Sequence, residues 1–160
     1  MYLRRLETPI GELRLIASDE GLVAVLWPNE TPNRVRLESE PIETAAHPIL
    51  DDCAAQLGEY FAGERRSFEL PLDLRGGTEF QQAAWQALAD IPFGETVSYS
   101  QQAQRIGRPK AVRAIGAANG RNPLSIVLPC HRVVGANGAL TGFAGGVETK
   151  RFLLELEAGQ

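Results

Sequence analysis

The chain has 160 residues, a formal net charge of −4 and two cysteines, Cys53 and Cys130. That length allows one domain or two small ones. Two cysteines are too few for a disulfide scaffold, and no apolar run approaches the ~20 residues of a membrane span. Met1-Tyr2-Leu3-Arg4-Arg5 is followed by mixed sequence and no apolar signal core. A cytoplasmic chain with reduced thiols and no membrane partner is therefore expected.

In chain order, Tyr2 to Glu7, Gly11 to Ser18 and Leu22 to Trp27 read as strands, the last two joined by the turn cluster Asp19-Glu20-Gly21. Residues 28–46 are rich in Pro, Glu and Thr and read as a loop. From His47 to Phe61 the apolar residues Ile49, Leu50, Cys53, Leu57, Tyr60 and Phe61 share one helical face, and Gly63 can end that helix. Phe68 to Leu72 reads as another short strand. Leu74-Arg75-Gly76-Gly77 marks a boundary, dividing the chain into 1–77 and 78–160.

A helix then opens at Thr78, where Thr78-x-x-Gln81 fits a capping box, and Pro92 stops it. Ser98-Tyr99-Ser100-Gln101 is a second such box, opening a helix to about Ile106. Gly107 turns the chain, Pro109 suits a first helical position, and Lys110 to about Ala118 form a third helix. Two short helices across a glycine turn are a helix-turn-helix pattern, and equally that of a packed αα-hairpin. The second helix carries Lys110 and Arg113 among the small residues Ala111, Ala114, Gly116, Ala117 and Ala118, which let a backbone approach a groove.

Charge is unevenly distributed. Residues 1–77 carry a net −6 and residues 78–160 a net +2. Thr96 to Val147 contains no acidic residue but holds Arg105, Arg108, Lys110, Arg113, Arg121 and Arg132. Such a stretch suits a surface facing a phosphate backbone.

Ile126 to Val134 reads as a buried β-like run that delivers a cysteine, with Pro129 before Cys130 and His131 and Arg132 after it. A nearby histidine or cation favours the thiolate, the nucleophilic form of cysteine. Sulfur attacks a saturated carbon well and forms a stable thioether. Residues adjacent on a strand face opposite ways, so a water between Cys130 and His131 is one route for the proton. A buried inert cysteine, a cysteine hydrolase, and a metal site joining His47, Cys53, Cys130 and His131 are the alternatives. No paired zinc-knuckle spacing favours the metal.

Pro129-Cys130-His131-Arg132-Val133, with the helices before it and Gly142-Phe143-Ala144-Gly145-Gly146 after it, closely resembles the O6-alkylguanine-DNA alkyltransferase family, the methylated-DNA–protein-cysteine methyltransferases. The resemblance is strong over residues 78–160 and looser over 1–77. It implies a small ribonuclease H-like α/β N-terminal domain in a supporting role. It also implies a mostly helical, winged-helix-like C-terminal domain that binds DNA and accepts the alkyl group. The implied activity is direct, single-turnover, irreversible transfer from O6-alkylguanine, and from O4-alkylthymine, to Cys130 after nucleotide flipping. No cofactor or metal is implied. The partner would be double-stranded DNA, met in the minor groove by the second helix. The protein would act as a monomer, with cooperativity on DNA left open.

The resemblance also implies residue roles. Cys130 would accept the alkyl group, His131 would act as base through a water, and Glu157 would hold His131 in its useful tautomer. Asn122 would brace the turn around the site. Tyr99 would offer its hydroxyl to the guanine. Arg113 would fill the gap left by the flipped nucleotide, with Lys110 and Ala114 also at the DNA. Tyr99, Cys130, Val133, Phe143 and Ala144 would line the base pocket, with Lys150 near its loop. Phe143 stands where many relatives have tyrosine, so one hydroxyl at the rim is missing. Some relatives hold zinc in the N-terminal domain, and cysteine and histidine are too scarce there in this chain. A DNA-lesion sensor without chemistry and a cysteine hydrolase are the competing functions.

Overall fold

The computed structural model describes residues 1–159. The fold is mixed α/β, a small sheet domain followed by a mostly helical one. Strands β1 (Tyr2–Thr8), β2 (Gly11–Ala17) and β3 (Leu22–Leu26) form an antiparallel meander, with Tyr2 opposite Ala17 and Arg14 opposite Leu26. The residues of β2 alternate toward the core, so Leu13, Leu15 and Ala17 are fully buried. Helix α1 (Pro48–Phe61) covers this face through Leu50, Cys53, Leu57 and Tyr60. His47 caps α1, its Nδ1 accepting from the Ile49 amide, and Pro48 occupies the first turn, where no donor is needed.

Two expectations for this half change. Residues 28–46 are not wholly loop, because β4 (Ile42–Glu43) pairs in parallel with β1 at the sheet edge. Phe68 to Leu72 is not a strand. It makes one bridge, Leu22 to Leu72, in which the Leu22 amide donates to Pro71 and the Asp73 amide to Leu22. Pro71 has no amide hydrogen to extend a ladder.

Both capping boxes form. Thr78 and Gln81 open α2 (Glu79–Leu88), and Ser98 and Gln101 open α3 (Tyr99–Arg105). Helix α2 ends four residues before Pro92, its chain tightening into turns through Asp90 and Ile91. Helix α4 (Val112–Gly120) starts two residues later than expected, so Lys110 lies in the turn preceding it and Ala111 at its N-cap. Gly107, at φ +74°, makes the turn between α3 and α4.

A small core of Ala84, Ala103, Ile115 and Ala118 joins α2, α3 and α4. Gln102 and Asn119 lock α3 to α4 by reciprocal amide hydrogen bonds of 3.0 and 2.7 Å. The Trp85 indole donates to the Ala118 carbonyl at 2.7 Å. These bonds pin the helix-turn-helix together, and α5 (Val147–Ala158), which packs on the Cys130–Arg132 turn, ends the fold. No described helix is long and apolar enough to cross a membrane.

Candidate active site and nucleic-acid interface

The segment leading to Cys130 is not the expected strand. Ile126 takes a left-handed backbone at φ +73°, and Cys130–Arg132 form one 3₁₀ turn before β6 (Val133–Val134) pairs in parallel with β5 (Val97–Ser98). The β-branched run suggested a strand. Pro129 lacks a donor, however, and Asn122 satisfies the backbone instead. Its side chain donates to the Leu128 carbonyl at 2.8 Å and accepts from the Leu124 amide at 3.0 Å. Asn122 is fully buried. Asn122→Ala orphans two backbone groups and is expected to lower stability by about 2–4 kcal/mol, read by urea denaturation.

Cys130 is 6% exposed, whereas His131 has no exposed surface. Burial pushes the Cys130 thiol up; the Asn122 side chain and the positive charges of Lys150 and Arg34 pull it back toward the thiolate. Lys150 is buried and pairs with no carboxylate among the described residues. Its Nζ donates to the Val133 carbonyl at 2.7 Å and lies 5.9 Å from the Tyr99 ring and 5.8 Å from the Phe143 ring.

His131 Nε2 lies 2.6 Å from Glu157 Oε2, while its Nδ1 has no hydrogen-bond partner among the described residues. Burial lowers the basicity of the imidazole more than Glu157 restores it. The neutral ring therefore donates from Nε2 and keeps its lone pair on Nδ1. Burial also pushes the Glu157 carboxyl up, but hydrogen bonds from His131, Arg132 and Tyr60 outweigh it and hold it at about 2.

Two members of this cluster were not expected in it. The sequence groups Arg132 with the phosphate-facing cations. It is only 5% exposed, donating through Nε to Glu157 Oε1 at 2.8 Å and through Nη1 to the Ile91 carbonyl at 2.6 Å. Tyr60, on α1 of the N-terminal domain, donates its hydroxyl to Glu157 Oε2 at 2.6 Å. Its apolar helix position was legible, but a partner 97 residues away was not.

The expected pocket residues pack on one core. Val133 and Cys130 are buried in it, and Tyr99, Phe143 and Ala144 lie half-buried against it. Trp27 meets Phe143 edge-on at 5.4 Å. The Tyr99 hydroxyl is hydrogen-bonded to Thr141 at 2.8 Å, tying α3 to the loop that carries Phe143. Arg34 joins the two domains, pairing with Glu30 and donating to the Asn122 carbonyl at 2.9 Å. Among the described residues no group of three or more His, Cys, Asp or Glu side chains is assembled that would hold a metal.

Outside this cluster, α4 exposes Arg113, Ala114, Ala117 and Gly120, at spacings that share one helical face, with Arg121 following. Arg105, Arg108 and Lys110 are exposed as well. Arg113 forms no ion pair among the described residues. Small residues between cations give this face a close approach to a polyanion.

The sequence matches two family models. Residues 1–74 match the ribonuclease-like domain of 6-O-methylguanine DNA methyltransferase, and residues 79–159 match its DNA-binding domain. A methylated-DNA–protein-cysteine methyltransferase from Methanosarcina acetivorans is 46% identical, the match covering 98% of both chains. The constitutive enzyme of that name from Bacillus subtilis is also 46% identical, over 98% of this chain and 94% of its own. The crystal structure of Mycobacterium tuberculosis OGT in complex with DNA superposes with a TM-score of 0.89 at 43% identity, covering 99% of this chain and 94% of that one. The chain belongs to the 6-O-methylguanine DNA methyltransferase family.

Proposed function

We propose that this protein repairs alkylated DNA by moving the alkyl group from O6-alkylguanine, and from O4-alkylthymine, onto Cys130, once per molecule. The observation that carries this is the geometry around His131. Glu157 fixes the Nε2–H, so the unpartnered Nδ1 is a base, and it belongs to the residue next to the thiol. Residues 78–160 act as the DNA-binding and acceptor domain and residues 1–77 as its support.

The chemistry balances within the site. His131 Nδ1 takes the thiol proton through a water, and the sulfur forms a bond to the alkyl carbon. The carbon–O6 bond breaks, its electron pair stays with the base, and the proton taken from the thiol returns from the His131 imidazolium through solvent to give neutral guanine. The Tyr99 hydroxyl hydrogen-bonds the ring and offsets the charge developing there. The thioether has no route back, so each molecule reacts once.

The alkyl group lies inside the duplex, so the nucleotide must leave the stack, at a cost of a few kcal/mol. The exposed face of α4 supports docking in the minor groove, with Arg113 entering the stack and Lys110 and Ala114 alongside. The base enters between Tyr99, Val133, Phe143 and Ala144. The Tyr99–Thr141 hydrogen bond ties α3 to the Phe143 loop beside this entry. A monomer in the cytoplasm meets these needs without a cofactor.

Intact-mass spectrometry after incubation with a duplex containing O6-methylguanine tests the proposal. The expected result is a gain of one methyl group per molecule, on the peptide containing Cys130. An unmodified protein with the lesion still bound indicates a sensor, and many turnovers on an ester or amide indicate a hydrolase.

A further inference from the structure

The role of residues 1–77 gains chemical content at Glu157. Its Oε2 accepts from His131 Nε2 at 2.6 Å, from the Tyr60 hydroxyl at 2.6 Å and from Arg132 Nη2 at 3.1 Å. Its Oε1 accepts from Arg132 Nε at 2.8 Å and the Gly94 amide at 3.3 Å. The oxygen that orients His131 is therefore the oxygen that Tyr60 and Arg132 also claim. Tyr60 is 1% exposed, and Phe61, Phe68 and Phe93 hold its ring at centroid separations of 5.4, 5.6 and 6.2 Å. Among the described residues, the only hydrogen bond of its hydroxyl crosses from α1 to α5.

We infer that Tyr60 is a positioning residue of the N-terminal domain that limits how strongly Glu157 attracts a proton to His131, and so sets the acid limb of alkyl transfer.

A carboxylate whose charge is shared among several donors stabilises an imidazolium less than a bare one does. Among the described residues, the other charged groups acting on His131 are Arg132 and Lys150, both positive, and Lys150 also acts on the Cys130 thiol next in sequence. Arg66 and Arg132 both lie over the Phe93 ring, 5.3 and 5.6 Å from its centroid. With the Tyr60 hydroxyl present, His131 stays neutral and its Nδ1 lone pair stays available to lower pH. Without it, Oε2 recovers negative charge, His131 becomes more basic, and more alkali is needed to free the lone pair. A more basic imidazole is not a worse base once deprotonated, so the plateau rate is preserved. A merely structural role for Tyr60 predicts the opposite, a lower plateau with an unmoved midpoint.

The inference rests on the alkyl-transfer reading for its rate consequence. The experiment separates the two. The chain has two histidines, His47 and His131, so nitrogen NMR of the full-length labelled protein resolves each ring. His47→Asn, which retains a capping side chain, assigns them. In Tyr60→Phe the His131 midpoint is expected to rise by about one pH unit. The acid limb of Cys130 alkylation by free O6-benzylguanine should rise with it, its plateau staying within about twofold. Phe68→Leu, which loosens the Tyr60 ring but leaves the hydroxyl, should lower the melting temperature without moving either midpoint. A His131 midpoint that is unchanged or lower in Tyr60→Phe, or equal shifts in both variants, overturns the inference. A second measurement needs no variant. Tyr60 should resist ionisation in the folded protein, because burial and the adjacent Glu157 carboxylate hold its proton. A Tyr60 hydroxyl that ionises in the still-folded protein as readily as a solvent-exposed phenol also overturns it. If the wild-type protein forms no Cys130 adduct, the alkyl-transfer reading falls, while the NMR titration still judges the coupling of Tyr60 to His131.

Discussion

Glu157→Gln is expected to lower stability by about 3–5 kcal/mol and to slow alkyl transfer at neutral pH by about a hundredfold or more. The glutamine keeps the size of the side chain but removes the only anion paired with Arg132 among the described residues. The Arg132 guanidinium then sits with 7% side-chain exposure and no counter-charge. The amide also offers His131 a donor as readily as an acceptor, so the Nε2–H tautomer is no longer enforced. Urea denaturation at neutral pH reads the first effect, and single-turnover alkylation by free O6-benzylguanine reads the second. A variant that keeps both the stability and the rate would remove Glu157 from the site chemistry.

The same carboxylate gives the wild-type protein an acid sensitivity of defined sign. Burial alone would raise it, but its donors hold it at about 2, below the unfolded value near 4.5. The folded state therefore binds fewer protons than the unfolded state between these limits. The stability this contributes is fully present above about pH 4.5 and is lost as pH falls toward 2, at most about 3 kcal/mol in all. In Glu157→Gln that part of the pH dependence should vanish.

Local chemistry made much of this fold legible. The two capping boxes were readable because donor and acceptor lie three residues apart, and the β1–β3 meander because alternation and turn residues coincide. Strand β4 was hidden because its pairing depends on β1, some forty residues earlier, and not on its own two residues. The Cys130 segment misled because Ile126 and Val127 have strand propensity, which the Asn122 side chain and the 3₁₀ turn override, whereas Val133 and Val134 do pair as β6. Arg132 was readable as a cation but not as a buried one. Its carboxylate is 25 residues away, and only the packing of α5 reveals it. Tyr60 shows the same limit from the other domain. A helical stripe explains its ring, but the destination of the hydroxyl is a tertiary fact. The motif thus pointed to the proposed reacting atoms, while the groups packed around them lay beyond any spacing rule.

Arg113→Ala is expected to slow repair of O6-methylguanine in duplex DNA by about a hundredfold while changing the reaction with free O6-benzylguanine less than about twofold. Arg113 is exposed near the start of α4 and makes no ion pair among the described residues, so its removal disturbs nothing in the folded chain. In the proposed complex its guanidinium occupies the space vacated by the extruded nucleotide, where it stacks and hydrogen-bonds in place of the lost base. Extrusion costs a few kcal/mol, and losing most of the compensating contacts returns about 2–3 kcal/mol of that cost to the barrier. At about 1.4 kcal/mol per tenfold, this gives the hundredfold effect. The free base needs no extrusion and should be nearly indifferent. Single-turnover rates on the two substrates measure the ratio directly. Equal losses on both would place Arg113 in folding or in the pocket, and no loss on either would leave the filling of the stack to another cation. The exposed candidate on the same helical face is Arg121, and Arg121→Ala would then have to show the duplex-specific defect instead.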